Sequence, residues 1–325
     1  MKVPILTTIA IIFLDISLAK AMMDGNEEGE TSTSSKTQGI QQTTGQKDIL
    51  EIISDELDED IFKSLDPKTL TPGLYKSDDM EKILSFPLSS FGEEDMVIFD
   101  MDQTLITQLS PYTQVPLLCE RLMAQPPHIR EEFEAYSFSS SPFALMDERI
   151  PDFIKGLQRQ KVKCIANTLM FSILPFAESI DVPLLRVRSL QDLGIDFSGT
   201  FSHLPSWDFN ALEVDSALRP PPAFKEGIIL SSNLPKHVTT LELLKNLSFS
   251  PRRVVFIDDR FEHAQGMYEG LTAKGIETYS FVYSKAHNTT SLDYFTTDLA
   301  ASRLIEIEDF LKRLLKLENV DEVFK

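Results

Sequence analysis

Two pairs of acidic residues each follow a short apolar run, a pattern that can bring carboxylates together at one site. Asp100 and Asp102 follow Met96–Phe99, and Asp258 and Asp259 follow a similar run. Two carboxylates separated by one residue can divide the work of phosphoryl transfer, because one attacks phosphorus while the other protonates the leaving oxygen and later activates water. Such chemistry needs a metal, and hard cations such as Mg²⁺ prefer carboxylate oxygens. The two pairs together predict a metal-assisted site.

The elements that would position these acids are strands alternating with helices. Five apolar runs predict strands, at Met96–Phe99, Val162–Ala166, Gly227–Leu230, Val254–Ile257 and Thr278–Tyr283. Helical spacing predicts helices at Asp152–Arg159, Lys236–Leu247, Phe261–Lys274 and Leu304–Leu317. This alternation is typical of an α/β fold, and we expect a doubly wound, mostly parallel sheet with the site at the carboxyl ends of its strands.

Two long inserts interrupt the alternation, at about residues 107–149 and 171–223. We expect a helix at Leu117–Met123 in the first insert and a strand at Gly199–Ser202 in the second. Inserts of this length in a compact domain are usually functional. We therefore expect them to form a partial cap over the site.

The segment Phe99–Leu105, which reads Phe-Asp-Met-Asp-Gln-Thr-Leu, resembles the first motif of the haloacid dehalogenase superfamily, and Phe256–Asp259 resembles its fourth. The resemblance covers roughly Glu94–Tyr283. The overall layout is more closely similar to a secreted bacterial branch of that superfamily, known mainly as a domain of unknown function. Gln103 departs from the commonest pattern, which has glycine there, but no reacting group is lost.

The resemblance implies a role for each acid. Asp100 would be the nucleophile and Asp102 the general acid and base. Mg²⁺ would be held by Asp100, the backbone carbonyl of Asp102 and Asp258, and Asp259 would be a further ligand or support one.

The superfamily also uses a hydroxyl and a lysine to neutralise the transferring phosphoryl oxygens. Thr168 follows the second predicted strand and is our first choice for the hydroxyl, with Ser231 or Ser232 as alternatives. Lys236 opens the helix before the strand that ends at Asp258, an order that favours it over Lys225.

The N-terminal sequence predicts export. Residues 1–21 have the form of a cleaved signal peptide, with an apolar run followed by Ala19-Lys20-Ala21, so we expect a periplasmic or secreted protein. Residues 22–47 are polar and predict a disordered tether. Residues 48–325 would then form the hydrolase domain, which begins with a packing helix at Asp48–Leu57.

Composition limits the partners. The formal net charge of −19 at pH 7 argues against nucleic acid, and after signal cleavage we expect no stable membrane insertion. A small phosphorylated substrate is the expected partner, and nothing supports a protein partner. Of two cysteines, Cys164 lies in an apolar run and predicts a buried thiol, whereas a bridge to Cys119 is an alternative.

The second insert contains two further groups that can contact a substrate. Arg186 and Arg188 alternate around Val187 and, on one face of a strand, would grip a distal anion of the substrate, although surface charge is the commoner role of such residues. His203, Trp207 and Phe209 can contact a substrate, yet aromatic residues in a lid more often pack its own core.

The sequence therefore predicts a Mg²⁺-dependent phosphatase that hydrolyses a phosphomonoester through an aspartyl-phosphate on Asp100. A phosphomutase and a phosphonate hydrolase on the same scaffold are alternatives. A secreted binding protein that kept the fold but lost catalysis is the alternative from another class.

Overall fold

The structure is a computed structural model that describes residues 61–63, 71–85, 90–109, 136, 142–173, 180–209, 212, 220–232 and 234–284. The chain divides into two compact units, Met1–Ile61 and Phe62–Lys325, and every element below belongs to the second. Several predictions lie outside the described residues: the signal peptide, the tether, Cys119 and the helices at Asp48–Leu57, Leu117–Met123 and Leu304–Leu317.

The described residues form ten strands and five helices. The strands are β1 Gly73–Ser77, β2 Asp95–Phe99, β3 Ile106–Gln108, β4 Phe143–Leu145, β5 Lys163–Thr168, β6 Ser206–Asp208, β7 Ala223–Lys225, β8 Ile228–Leu230, β9 Arg253–Asp258 and β10 Glu277–Tyr283. The helices are α1 Met80–Leu84, α2 Ile150–Arg159, α3 Val182–Gln191, α4 Lys236–Asn246 and α5 Phe261–Thr272. The five predicted strands and the three predicted helices in this part of the chain are confirmed, with ends that differ by a few residues.

Eight strands form one sheet in the order β1-β10-β9-β2-β5-β8-β7-β6. The first six in this order are parallel, and β7 and β6 extend the sheet as antiparallel strands. The α/β architecture with a mostly parallel sheet is therefore confirmed. The central strand β2 pairs with β9 on one side and β5 on the other. Because β2 and β9 are parallel, the two acidic pairs lie together at the carboxyl ends of these strands.

Helices cover both faces of the sheet. Alternate residues of β2 point to opposite faces, since Val97 and Phe99 join one core cluster and Met96 and Ile98 the other. The first cluster contains apolar residues of α2 and α3, and the second contains apolar residues of α4 and α5. A strand buried on both faces explains the continuous apolar run. Cys164 is buried, as predicted, and burial raises the pKa of its thiol.

A tight turn follows β2 and leads into an antiparallel pair of strands, β3 and β4. Gln103 lies in this turn with a φ of 65°, a left-handed conformation that favours glycine. Its amide donates a hydrogen bond to the Thr107 hydroxyl at 3.2 Å. The β3–β4 pair contains the two ends of the first insert, and residues 110–135 and 137–141 between them lie outside the description.

The second insert contributes α3 and β6 to the body of the protein. The Asp181 side chain caps α3 by accepting a hydrogen bond from the Leu184 N–H at 2.9 Å, and Pro183 lies in the first turn. α3 packs on β7 and β8, and β6 forms an edge of the sheet. Whether either insert acts as a cap stays a prediction.

Two local predictions in the second insert were wrong. Residues 198–203 form turns instead of the predicted strand at Gly199–Ser202. Arg186 and Arg188 lie on a helix, because Asp181 and Pro183 start α3 just before them. Arg186 is fully buried whereas Arg188 is exposed, so they do not share one face and surface charge describes only Arg188.

Among the described residues, none of the helices has the length and apolar character needed to cross a bilayer.

Candidate functional site

Asp100 lies at the carboxyl end of β2, directly beside the end of β9. Its backbone N–H donates a hydrogen bond to the Ile257 carbonyl at 2.8 Å, so the pairing of the two strands continues up to the acid. The residue is only 5% exposed. This backbone bond fixes Asp100 next to Asp258, the last residue of β9.

Lys236 joins the two acids. Its ammonium group donates hydrogen bonds to Asp100 Oδ1 and, at 2.7 Å, to Asp258 Oδ2. The lysine is the first residue of α4 and its side chain is 1% exposed. Lys225, the alternative, is a residue of β7 that pairs with β6 and β8. Lys236 is thus the lysine that contacts the first acidic pair.

Asp258 is held from its other side as well. Its Oδ1 accepts hydrogen bonds from the Arg260 N–H at 2.9 Å and from the His263 ring, with Nδ1 at 3.2 Å. His263 lies in the first turn of α5, the helix that follows β9. With both oxygens bonded and no exposure, the Asp258 carboxylate has a fixed orientation.

Three carboxylates can hold a metal ion here. Oxygen atoms of Asp100, Asp258 and Asp259 all lie within 4.8 Å of one another. Three carboxylate oxygens are a donor set that suits a hard divalent cation, so the residues fit a metal of that class. The Asp102 side chain is not part of this cluster, and coordination by its backbone carbonyl stays a prediction.

The charges of this cluster are incompletely balanced without a cation. Burial raises the pKa of Asp100 to about 7, with further increases from Asp258 and Asp102, and Lys236 only partly opposes this effect. Burial and the neighbouring acids also raise the pKa of Asp259 well above its usual range. Despite burial, Lys236 and His263 hold the pKa of Asp258 low. The two acids with raised pKa values are where a bound cation would have the largest effect.

Lys236 itself remains charged. Burial lowers its pKa, but the adjacent carboxylates of Asp100 and Asp258 outweigh burial and raise the value above the usual range. The lysine therefore supplies a permanent positive charge between the two strand ends.

Asp102 contacts two residues that come from other segments of the chain. Its Oδ2 accepts a hydrogen bond from the Thr168 hydroxyl at 3.3 Å, and its Oδ1 accepts one from Arg186 Nη2 at 2.6 Å. Thr168 is the last residue of β5, the strand beside β2. The predicted hydroxyl and the predicted acid are therefore neighbours.

The alternative hydroxyls face other partners. Ser231 donates to the Asn167 side-chain oxygen at 2.6 Å and lies 2.8 Å from the Thr239 hydroxyl, within a fully buried network. Ser232 donates to the Pro221 carbonyl at 3.3 Å. Of the three candidates, Thr168 is the one that contacts a predicted catalytic acid.

Asn167 was not among the predicted site residues, yet it supports Lys236. Its amide nitrogen donates to the Lys236 carbonyl at 3.1 Å and lies within hydrogen-bond distance of the Thr239 and Thr240 hydroxyls. These bonds tie β5 to the first turn of α4. The sequence signal was a polar residue inside an otherwise apolar strand, which indicates a buried hydrogen-bond network.

Arg186 and His263 were also absent from the predicted site. Arg186 is buried because Val182, Val187 and Leu190 form one apolar face of α3 on which it also lies. That helical spacing was the available signal for Arg186. Phe209 is buried with the Trp207 ring 4.6 Å away, as the packing interpretation predicts, whereas His203 is exposed beside the Phe201 ring.

Fold and site together define an α/β protein with a mostly parallel sheet and a cluster of three aspartates that could bind a metal ion. Residues 132–320 match the family described as "Protein of unknown function (DUF2608)". The match covers more than half of the chain, and the protein belongs to this family. Asp100 and Asp102 precede the matched segment, which includes the other predicted site residues. No curated protein matches the chain.

Proposed function

We propose that the protein is a Mg²⁺-dependent phosphatase with a haloacid dehalogenase-like core, which hydrolyses a phosphomonoester through an aspartyl-phosphate on Asp100. One observation carries the proposal: Lys236 bridges Asp100 and Asp258 at the ends of two adjacent parallel strands, next to a third carboxylate. A buried lysine that contacts both a candidate nucleophile and a candidate metal ligand suits a site that receives a phosphoryl group.

In the first step a carboxylate oxygen of Asp100 attacks phosphorus. The new bond joins Asp100 to phosphorus, and the bond between phosphorus and the ester oxygen breaks. Asp102 gives its proton to that ester oxygen, so the substrate leaves as an alcohol. The Thr168 hydroxyl and the Lys236 ammonium donate hydrogen bonds to the phosphoryl oxygens and balance their charge.

A Mg²⁺ ion held by Asp100, Asp258 and Asp259 would supply positive charge against the phosphoryl oxygens and lower the repulsion that the nucleophile meets. The three carboxylates lie close enough together to act as its ligands.

In the second step water attacks phosphorus and the bond between Asp100 and phosphorus breaks. Asp102, now a carboxylate, accepts a proton from that water. Inorganic phosphate leaves, Asp100 is again a free carboxylate, and Asp102 again carries the proton needed for the next cycle.

The proposal extends to setting and substrate. The apolar N-terminal run followed by Ala19-Lys20-Ala21 supports export, to the periplasm or beyond the cell. The substrate is a small phosphorylated molecule, since the high negative charge of the chain disfavours nucleic acid.

Release of inorganic phosphate from a panel of phosphomonoesters, with Mg²⁺ and with a chelator, tests the proposal. Asp100→Asn is the matched control, because it keeps the shape of the side chain but removes the nucleophile. We expect metal-dependent release that the variant lacks. No release from any ester at high protein concentration, with Mg²⁺ bound, would overturn it and favour a binding protein that has lost catalysis.

A further inference from the structure

The buried arginine of the second insert reaches directly to the candidate acid and base. The Arg186 side chain is 1% exposed, and its Nη2 donates to Asp102 Oδ1 at 2.6 Å. The guanidinium carbon lies 5.3 Å from the centroid of the Phe143 ring, which belongs to β4. The guanidinium group of Arg186 therefore lies between a ring of the β3–β4 pair, which it packs against, and Asp102, to which it donates.

The two oxygens of Asp102 have unequal partners. Oδ1 has a short, charged bond to a buried guanidinium group, whereas Oδ2 has a long bond of 3.3 Å from the Thr168 hydroxyl. A short bond between two charged groups is stronger than a long bond from a neutral hydroxyl. Oδ2 is thus the oxygen that can be released at low cost when a substrate takes the Thr168 hydroxyl.

We propose that Arg186 is a positioning residue that anchors Oδ1 of Asp102 and thereby makes Oδ2 the oxygen that exchanges protons. The proposal rests on the phosphatase function above. When the phosphoryl group binds, Thr168 turns its hydroxyl to a phosphoryl oxygen and frees Oδ2. The proton on Oδ2 then passes to the ester oxygen as the bond from that oxygen to phosphorus breaks, and Oδ2 later accepts a proton from the attacking water.

The geometry explains why an arginine is needed. A guanidinium group is planar and rigid, so packing against the Phe143 ring fixes the direction of its N–H groups. A lysine has the same charge, but its ammonium lies on a flexible chain and fixes no plane. Arg186→Lys is therefore expected to keep part of the effect and Arg186→Met none of it.

Two substrates with different leaving groups distinguish a loss of Asp102 positioning from a general loss of active structure in the Arg186 variants. A 2,4-dinitrophenolate leaves without a proton, whereas an alkoxide needs one, so only the alkyl ester depends on Asp102 in the first step. We expect Arg186→Met to lower kcat/KM, which reports the steps up to formation of the aspartyl-phosphate, at least about tenfold more for an alkyl phosphate than for 2,4-dinitrophenyl phosphate. The control is Arg188→Met, an exposed position on the same helix, which should change neither rate.

A double-mutant cycle tests whether Arg186 acts through Asp102. Asp102→Asn should show the same preference for the dinitrophenyl ester in kcat/KM, and adding Arg186→Met to it should lower kcat/KM no further. Equal losses for both esters in Arg186→Met, or losses that multiply in the double variant, would overturn the proposal. If Arg186→Met does not fold, the same comparison with Arg186→Lys decides.

Crystal structures with Mg²⁺ provide a measurement that does not depend on turnover. In Arg186→Lys or Arg186→Met we expect the Asp102 side chain to occupy more than one rotamer, whereas Arg188→Met should keep the single one. An unchanged Asp102 in both Arg186 variants would overturn the positioning role. If the unmodified protein hydrolyses no ester, the phosphatase function fails, and the rotamers of Asp102 still decide whether Arg186 positions it.

Discussion

Lys236 is the residue on which the charge balance of the site depends. Its single buried ammonium group contacts carboxylates on two strands, and both contacts are shielded from solvent. Removing one partner from a buried ion pair leaves the remaining charges without compensation, which costs about 3 to 5 kcal/mol in measured cases. The lysine therefore has a structural role besides its proposed catalytic one.

Replacing Lys236 by methionine should destabilise the metal-free protein. We expect the free energy of unfolding to fall by about 3 kcal/mol, because Asp100 and Asp258 lose their shared counter-charge. Chemical denaturation measures the change. Lys245→Met is the control, since this lysine lies on the same helix with a side chain 74% exposed and should shift stability by less than about 0.5 kcal/mol. Similar shifts in both variants would contradict this prediction.

Asp100 should couple metal binding to pH. Burial, Asp258 and Asp102 raise its pKa to about 7 in the folded, metal-free protein, whereas the unfolded chain loses this proton near pH 4. The carboxyl therefore lowers stability as the pH rises from about 4 to about 7, and a cation that displaces the proton removes this penalty. We expect Mg²⁺ to bind more tightly, and to raise Tm more, as the pH increases through about 7.

Titration calorimetry in two buffers with different ionisation heats measures this coupling. Below about pH 7 binding should release protons, and the number released should decrease as the pH rises. Asp100→Asn should release fewer protons at the same pH. A Mg²⁺ affinity that is constant between about pH 5.5 and about pH 8 would be inconsistent with the raised pKa.

At the residue scale, the sequence predicted the site residues that lie at the end of a strand or begin a helix beside one. Asp100, Asp102 and Asp258 were chosen from their positions after apolar runs, and Thr168 and Lys236 from the order that the superfamily resemblance implies; the structure brings them together. Arg186 could not be assigned in the same way, because an arginine between apolar residues fits both a strand edge and a helix. Its partner, Asp102, is 84 residues away in sequence, and no local pattern indicates such a contact.

At the element scale, the turn after β2 contains a conformation that its sequence does not favour. Gln103 has a φ of 65°, which costs a non-glycine residue roughly 1 kcal/mol or more. The hydrogen bond from its side chain to Thr107 offsets part of this cost. Contacts with neighbouring residues must offset the rest of the cost. Gln103 directly follows Asp102, so this turn also bears on the position of that acid.

Two substitutions separate the backbone cost from the side-chain bond. Gln103→Gly and Gln103→Ala both remove the bond to Thr107, but only alanine keeps the strain of a positive φ. We expect the glycine variant to be more stable than the alanine variant by about 1 kcal/mol, as measured by thermal or chemical denaturation. An alanine variant as stable as the glycine variant would show that this turn is not strained.

Burial explains which strands the sequence predicted. The five apolar runs are neighbouring parallel strands of the sheet, where burial on both faces demands such a run. β6 and β7 pair as antiparallel strands at one side of the sheet and, unlike the equally short β8, are not buried along their whole length. Arg186 and Arg188 were placed on a strand, although Asp181 and Pro183 before them are an N-cap and a first-turn proline that indicate the start of a helix.

At the scale of the whole molecule, the amino ends and the carboxyl ends of the strands differ in how their buried charges are compensated. At the amino end of β2, Asp95 accepts hydrogen bonds from Arg253 at 2.7 and 2.9 Å and from Arg252 at 3.2 Å. Although burial opposes the effect, the bonds from Arg253 and Arg252 lower the pKa of Asp95 to about 2. The negative charge at the amino ends of the strands is therefore balanced by arginines of the protein, whereas Asp100 and Asp259 at the carboxyl ends have raised pKa values.

Asp95→Asn should therefore weaken the fold without changing the site. A lowered pKa contributes stability above the unfolded value near 4, which is lost as the pH falls through about 2. At neutral pH we expect the variant to lose about 2 kcal/mol of stability, and the loss to diminish in acid. Mg²⁺ affinity, measured on the folded variant, should stay unchanged. A weaker Mg²⁺ affinity would mean that Asp95, at the amino end of β2, is coupled to the site at the carboxyl ends of the strands.

The long sequence separations within the site have a consequence for biosynthesis. Asp100 receives its counter-charge from a lysine 136 residues further along the chain, and Asp102 pairs with an arginine 84 residues away. At ribosomal rates of about 5 to 20 residues per second, Asp100 waits roughly seven to twenty-seven seconds for Lys236 to be made. During that interval the central strand of the sheet already exists but ends in acids without their partners. Nascent chains that stop short of Lys236 should therefore lack the cation-binding site and depend on chaperones until synthesis continues.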